Sequence, residues 1–252
     1  MAKHDLTFDP PIMNAAGCLG LAPDIHGALD WSRLGAFITN PISRLPRTPA
    51  HGPRFIEYPG GFLLHTGYPN PGLEHVLRQH ARHWLRAPVP VIVHLLSRSP
   101  EELAALVRRL ENVEGVSGLE VGFPYEAGAE MVSACLQAAG GELPVIAQLP
   151  LEHSLELAAH AIRAGAAMVS LAPPRGMLPT QSGELVQGRL YGPALLPTTL
   201  KTVSSLAVLG IPTIAQGGIS SQEHVKAMQD AGALAVQLDW ALWRGGGHRI
   251  LA

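Results

Sequence analysis

A chain of 252 residues with 47% hydrophobic and 15% charged residues is long and apolar enough to bury one large core, which excludes a disordered chain. A formal charge of −2 with no basic or acidic block leaves no footprint for nucleic acid and no polyelectrolyte tail. Two cysteines without metal-ligand spacing, no apolar run near ~20 residues and no leader-like N-terminus predict a reduced, cytoplasmic protein with no metal site or membrane span.

Eight short apolar runs read as strands in chain order: 11–15, 36–39, 91–96, 118–121, 145–149, 167–171, 213–215 and 233–238. They are rich in Val, Ile and Leu and do not alternate with polar residues, as expected of parallel strands covered on both faces. Helical patterns lie between several of them. The stretch 99–110 opens Ser99-Pro100-Glu101-Glu102, an N-cap followed by proline and acids suited to a first turn. The stretches 153–164, 193–209 and 221–231 each end at a glycine, a C-cap signal. Alternating β and α segments of this number predict a single-domain (β/α)8 TIM barrel over residues 1–252, with an open doubly wound sheet as the alternative. Two Pro- and Gly-rich stretches, 41–71 and 173–193, interrupt the pattern. They read as long loops at the C-terminal face, either carrying function or merely closing the barrel mouth. After Trp243 about nine residues remain, which suggests a stunted last helix or a frayed tail.

Gln216-Gly217-Gly218-Ile219 follows the seventh strand and precedes a helix. Glycines there let backbone N–H groups approach an anion, the usual phosphate position in such barrels. The end of the eighth strand reads Gln237-Leu238-Asp239-Trp240. If Asp239 and Trp240 point inward they repel and exclude a phosphate; if they point to the rim they do not.

The segments Pro11-Ile-Met-Asn-Ala-Ala-Gly17, Gly35-Ala-Phe-Ile-Thr-Asn40 and Leu63-Leu-His-Thr-Gly-Tyr-Pro-Asn-Pro-Gly72, with Arg47 and Arg54 between them, resemble the N-terminal third of dihydroorotate dehydrogenases. Gly188-Arg-Leu-Tyr-Gly-Pro-Ala194, Gln216-Gly-Gly-Ile219 and Ala231-Gly-Ala-Leu-Ala-Val-Gln237 are similar to that family's flavin loop and closing phosphate region. The resemblance implies FMN at the barrel mouth. Ala15, Ala16 and Gly17 would lie against the flavin, Gly188 and Gly192 near its ribityl chain, and Gly217 and Gly218 at its phosphate.

The departures from that family fall in its active site. Asn40 stands where the family has a lysine near flavin and substrate, and Gln148 where a second lysine meets the flavin N1 edge. His65 replaces an asparagine. Phe123 occupies the position of the catalytic base and accepts no proton, while Glu120 and Tyr125 stand where substrate-binding asparagines would be. Ser170 and Ala172 replace further asparagines. Reduced flavin carries negative charge near N1, which Gln148 meets without a full positive charge. Glu120 facing an anionic pyrimidine acid would oppose its binding. Cys18 reads as a packing residue or as a displaced base. His65 and Glu120 read as a new acid–base pair, or as a rim histidine and a carboxylate paired to Arg44, Arg47 or Arg54.

Two functions stay open, with dihydroorotate oxidation itself not expected because the base and both lysines are missing. One is an FMN oxidoreductase acting on another substrate, which Gln148, Asp239 and Trp240 oppose. The other is a catalytically inactive homologue, a ligand-binding or regulatory subunit. A flavin-free proton-transfer enzyme using His65 and Glu120 is a third reading. The expected partners are a small molecule at the barrel mouth and, as homo- or hetero-oligomer, a related subunit.

Overall fold

The computed structural model describes residues 6–243. In chain order its strands and helices are β1 (Ile12–Asn14), β2 (Phe37–Ile38), β3 (Phe55–Tyr58), β4 (Gly61–Leu64), α1 (Leu73–Leu85), β5 (Val91–Leu96), α2 (Pro100–Leu110), β6 (Val116–Gly122), α3 (Ala129–Ala138) and β7 (Val145–Pro150). There follow α4 (Ser154–Arg163), β8 (Met168–Ala172), β9 (Arg175–Pro179), β10 (Leu185–Tyr191), α5 (Leu196–Val208), β11 (Thr213–Gln216), α6 (Gln222–Asp230), β12 (Ala235–Leu238) and the short α7 (Trp240–Trp243). The tail after Trp243, including any stunted last helix, lies outside the described residues.

Eight strands run parallel in the order β1-β12-β11-β8-β7-β6-β5-β2. A parallel bridge between Met13 and Ala36 brings the two ends together, so the sheet is a (β/α)8 barrel, as the eight apolar runs predict. The outward-facing side chains of the strands and the inner faces of the helices form one continuous apolar layer. The barrel interior begins with a second apolar layer that includes Met13, Ile38, Ile92, Ile146, Met168 and Ile214. Gly118 belongs to this level, and a Cβ there would sit 3.0 Å from Ile92 Cδ1, so the glycine makes room for that side chain.

Side chains repeat every two residues along a strand, so the next inward level toward the C-terminal ends is set by position alone. Two residues beyond Ile92, Gly118, Ile146, Met168, Ile214 and Ala235 stand His94, Glu120, Gln148, Ser170, Gln216 and Gln237, all buried. The barrel thus changes from apolar to polar within one period.

The helix signals act where expected. Ser99 Oγ accepts the Glu102 N–H at 3.2 Å, and Ser221 Oγ accepts the His224 N–H at 3.2 Å. The pattern at 153–164 resolves into a 3-10 turn, Leu151–His153, and α4. Helices α1 and α3 begin after Gly72 and Gly128, neither of which offers a side-chain cap, so they carry no start signal in sequence. The two long stretches read as loops instead hold a second, antiparallel sheet in the order β3-β4-β10-β9. Its pairing joins residues more than 120 positions apart, Arg189 opposite Leu64, and no local pattern encodes that.

Candidate functional site

At the centre of the polar level, Glu120 takes four side-chain contacts. His94 Nδ1 lies 2.6 Å from Oε2, Ser170 Oγ donates to Oε1 at 2.7 Å, Gln237 Nε2 to Oε1 at 2.6 Å and Gln148 Nε2 to Oε2 at 3.4 Å. Burial alone would raise this carboxyl. The bond and charge of His94, helped by Ser170 and Gln237, outweigh it and hold the group below the usual carboxylate range. Glu120 is therefore a satisfied interior carboxylate and not the partner of Arg44, Arg47 or Arg54. The partner is His94, two strand residues from the apolar layer, a residue that no motif singles out. The other ring nitrogen, His94 Nε2, has no partner, and a Cβ on residue 122 would lie 2.8 Å from it; Gly122 keeps that space open.

Above this level lies a cleft of about 700 Å³, walled by the barrel mouth on one side and the antiparallel sheet on the other. Ala16, Gly17, Asn40, His65, Phe123 and Tyr125 line it. Asn40 is anchored by accepting the Gly20 N–H at 3.1 Å. Among the other lining residues are Arg47, Arg98, Arg175 and Arg189 against the carboxylates Glu102 and Glu126, which makes the wall cationic. Gly188 also borders the cleft, but a Cβ there would meet Leu63 and the Leu64 carbonyl at or inside 2.8 Å, so its sheet partner already demands glycine. The lining takes no residue from β7, β8, β11 or β12, and neither Gln148 nor Ser170 reaches it. Glu120 and Ala15, both fully buried, do not reach it either, so His65 and Glu120 occupy different levels.

An aromatic cluster borders the cleft through Tyr191 and Trp243. Phe62 stacks on Tyr191 with centroids 5.5 Å apart, and Trp243 packs against Tyr191 at 4.9 Å and Phe62 at 5.7 Å. Gly192 sits where a Cβ would strike the Gly60 carbonyl, and Gly218, with φ +79°, where it would strike the backbone of Leu196 at the start of α5. At Gly217, φ is +116° and a Cβ would lie 2.9 Å from Thr199 Oγ1.

Asp239 points inward and is buried, with Oδ1 accepting the Trp240 N–H at 2.6 Å and Oδ2 3.5 Å from Gln216 Nε2. Burial, only partly offset by these bonds, pushes its pKa up to about 6. Trp240 turns away to a separate shallow pocket beside Tyr58 and Pro193. Burial and the Asp239 charge push the Cys18 thiol well up, so it stays protonated and does not serve as a displaced base at neutral pH.

Residues 2–139 match the family model described as dihydroorotate dehydrogenase. The chain is 31% identical over 252 aligned residues to the dihydroorotate dehydrogenase B (NAD(+)) catalytic subunit of Pelobacter propionicus, covering 92% of this chain and 83% of the relative. It is 28% identical over 275 aligned residues to the catalytic subunit of the same name from Geotalea daltonii, covering 96% and 88%. With its barrel, its mouth cleft and more than nine-tenths of its length aligned to these enzymes, the chain belongs to the dihydroorotate dehydrogenase family.

Proposed function

We propose that this chain is a ligand-binding or regulatory member of the dihydroorotate dehydrogenase family, working in the cytoplasm, that takes a small molecule in its mouth cleft and does not oxidise dihydroorotate. The observation that carries this is the carboxylate at the end of β12. The family resemblance puts a flavin phosphate beside Gly217, Gly218 and the start of the segment after β12. There the Trp240 N–H, a donor a phosphate would need, is already held by Asp239 Oδ1 at 2.6 Å. Below its raised pKa that carboxyl is neutral, but at neutral pH it opposes a phosphate dianion directly. The glycines of the loop are accounted for by the close approach of α5. These residues do not fit FMN. In the cleft, Phe123 stands where the resemblance puts the family's base and offers no proton acceptor.

One observation favours a second reading, an FMN oxidoreductase acting on another substrate. Ala16, Gly17 and Asn40, at positions the resemblance assigns to flavin contacts, line the open cleft. The two readings separate in one measurement, the visible absorbance of the purified protein before and after incubation with excess FMN and desalting. A protein without flavin bands, and without dihydroorotate oxidation at an enzyme-like rate, is the expected result. Stoichiometric retained flavin overturns the first reading and supports the second.

A further inference from the structure

We infer that Arg175 and Arg189 together bind the anionic group of the cleft ligand, a carboxylate or phosphate held by two arginines that are cross-strand partners in the antiparallel sheet. This rests on the reading of the cleft as the ligand site. The two residues are direct cross-strand partners on β9 and β10, and both line the cleft. Side chains so placed lie on the same face of a sheet about 5 Å apart at Cβ, and like charges there repel. Among the described residues neither guanidinium has an ion-pair partner. The nearby Glu152 spends its Oε1 on the Arg175 backbone N–H, at 2.7 Å.

Each guanidinium is instead held by an aromatic face. Arg189 Cζ lies 4.5 Å from the Tyr68 ring centroid and Arg175 Cζ 5.4 Å from that of Tyr125. These contacts hold each guanidinium in place and leave N–H donors free for an oxyanion. Partial burial also lowers the pKa of Arg189, with no carboxylate beside it to offset the effect. Tyr68 supplies an independent sign. It is the single non-glycine among the described residues with positive φ, at 54°, and its buried hydroxyl has no partner. A tyrosine held in the left-handed region carries strain of the kind that persists at ligand sites. Here that strain places a ring under Arg189 and an unused hydroxyl in the cleft wall.

An anion-binding pair differs from a merely structural one in how it responds to ligand. Without an anion the two arginines repel, so Arg175→Gln leaves the protein as stable as the wild type or more so. With the anion bound the order reverses. The test follows thermal unfolding of the 252-residue chain and of R175Q, R175Q/R189Q and R78Q, the last at an exposed position of α1 outside the cleft, titrated with inorganic phosphate or malonate at constant ionic strength, with chloride as reference. The expected result is saturable stabilisation of the wild type and of R78Q by at least one probe. Apparent affinity should fall on the order of ten-fold or more in R175Q, the loss of one charge-assisted contact, and vanish in the double variant. The stronger probe tells a carboxylate site from a phosphate site. Equal response of all variants, a loss in R78Q as large as in R175Q, or no response beyond chloride overturns the inference. Flavin retention, measured on the same samples, fails or holds independently of these outcomes.

Discussion

Replacing Asp239 by asparagine should stabilise this protein at neutral and alkaline pH. The carboxyl is buried, and its pKa rises from the ordinary 3.8 to about 6. Between those two values the folded chain holds a proton that the unfolded chain has lost, so stability falls as pH rises through this window. Above about pH 6 the full cost of the buried charge is present, about 3 kcal/mol for a shift of that size. Below about pH 4 it is absent. The amide introduced by D239N would keep an acceptor for the Trp240 N–H, now 2.6 Å from Oδ1. Its nitrogen would face Gln216, whose Oε1 is buried without a partner and lies one amide flip from accepting it. The bond between Gln216 and residue 239 is therefore reversed in direction and little hydrogen bonding is lost. Urea unfolding of the wild type and D239N at about pH 8 and about pH 4 measures the difference. A gain of about 2–3 kcal/mol at the higher pH that shrinks toward zero at the lower one is expected. If D239N is no more stable than the wild type at about pH 8, or equally stabilised at both pH values, the electrostatic reasoning fails.

Two other substitutions test the interior. Glu120→Ala strands the donors of His94, Ser170 and Gln237 in a buried layer and should cost about 3–5 kcal/mol by denaturant titration. Because the pKa of Glu120 is lowered on folding, its ionised form contributes stability above the usual glutamate range, and this is lost as pH falls through the lowered value. The gap between wild type and Glu120→Gln should therefore close in acid with the opposite sign to that of D239N. Gly218→Ala combines φ +79° with a Cβ directed into the Leu196 backbone and should cost more than about 1 kcal/mol in thermal unfolding; a neutral effect would return this glycine to ligand binding.

The barrel was legible in the chain because its signals are local. Uninterrupted Val, Ile and Leu runs mark strands covered on both faces, and Ser99 and Ser221 announce their helices through their own hydroxyls. The family, too, could be read from short motifs whose glycines and prolines keep their spacing. The role of Glu120 could not. Its position on a strand was plain, but whether it met a loop arginine or His94 depends on the stagger between neighbouring strands, which residue order alone leaves open. The same holds for the inward turn of Asp239 and for the two long stretches. Their residues alternate too weakly to announce strands, and only the approach of β4 to β10 supplies the missing hydrogen-bond partners. Periodicity and turn chemistry act within a few residues, and they suffice for the barrel and its lineage. Which charges meet is a matter of the folded chain alone: Glu120 with His94, Asp239 with the Trp240 N–H and Arg175 opposite Arg189, since each encounter joins different strands or turns a side chain inward at a strand end.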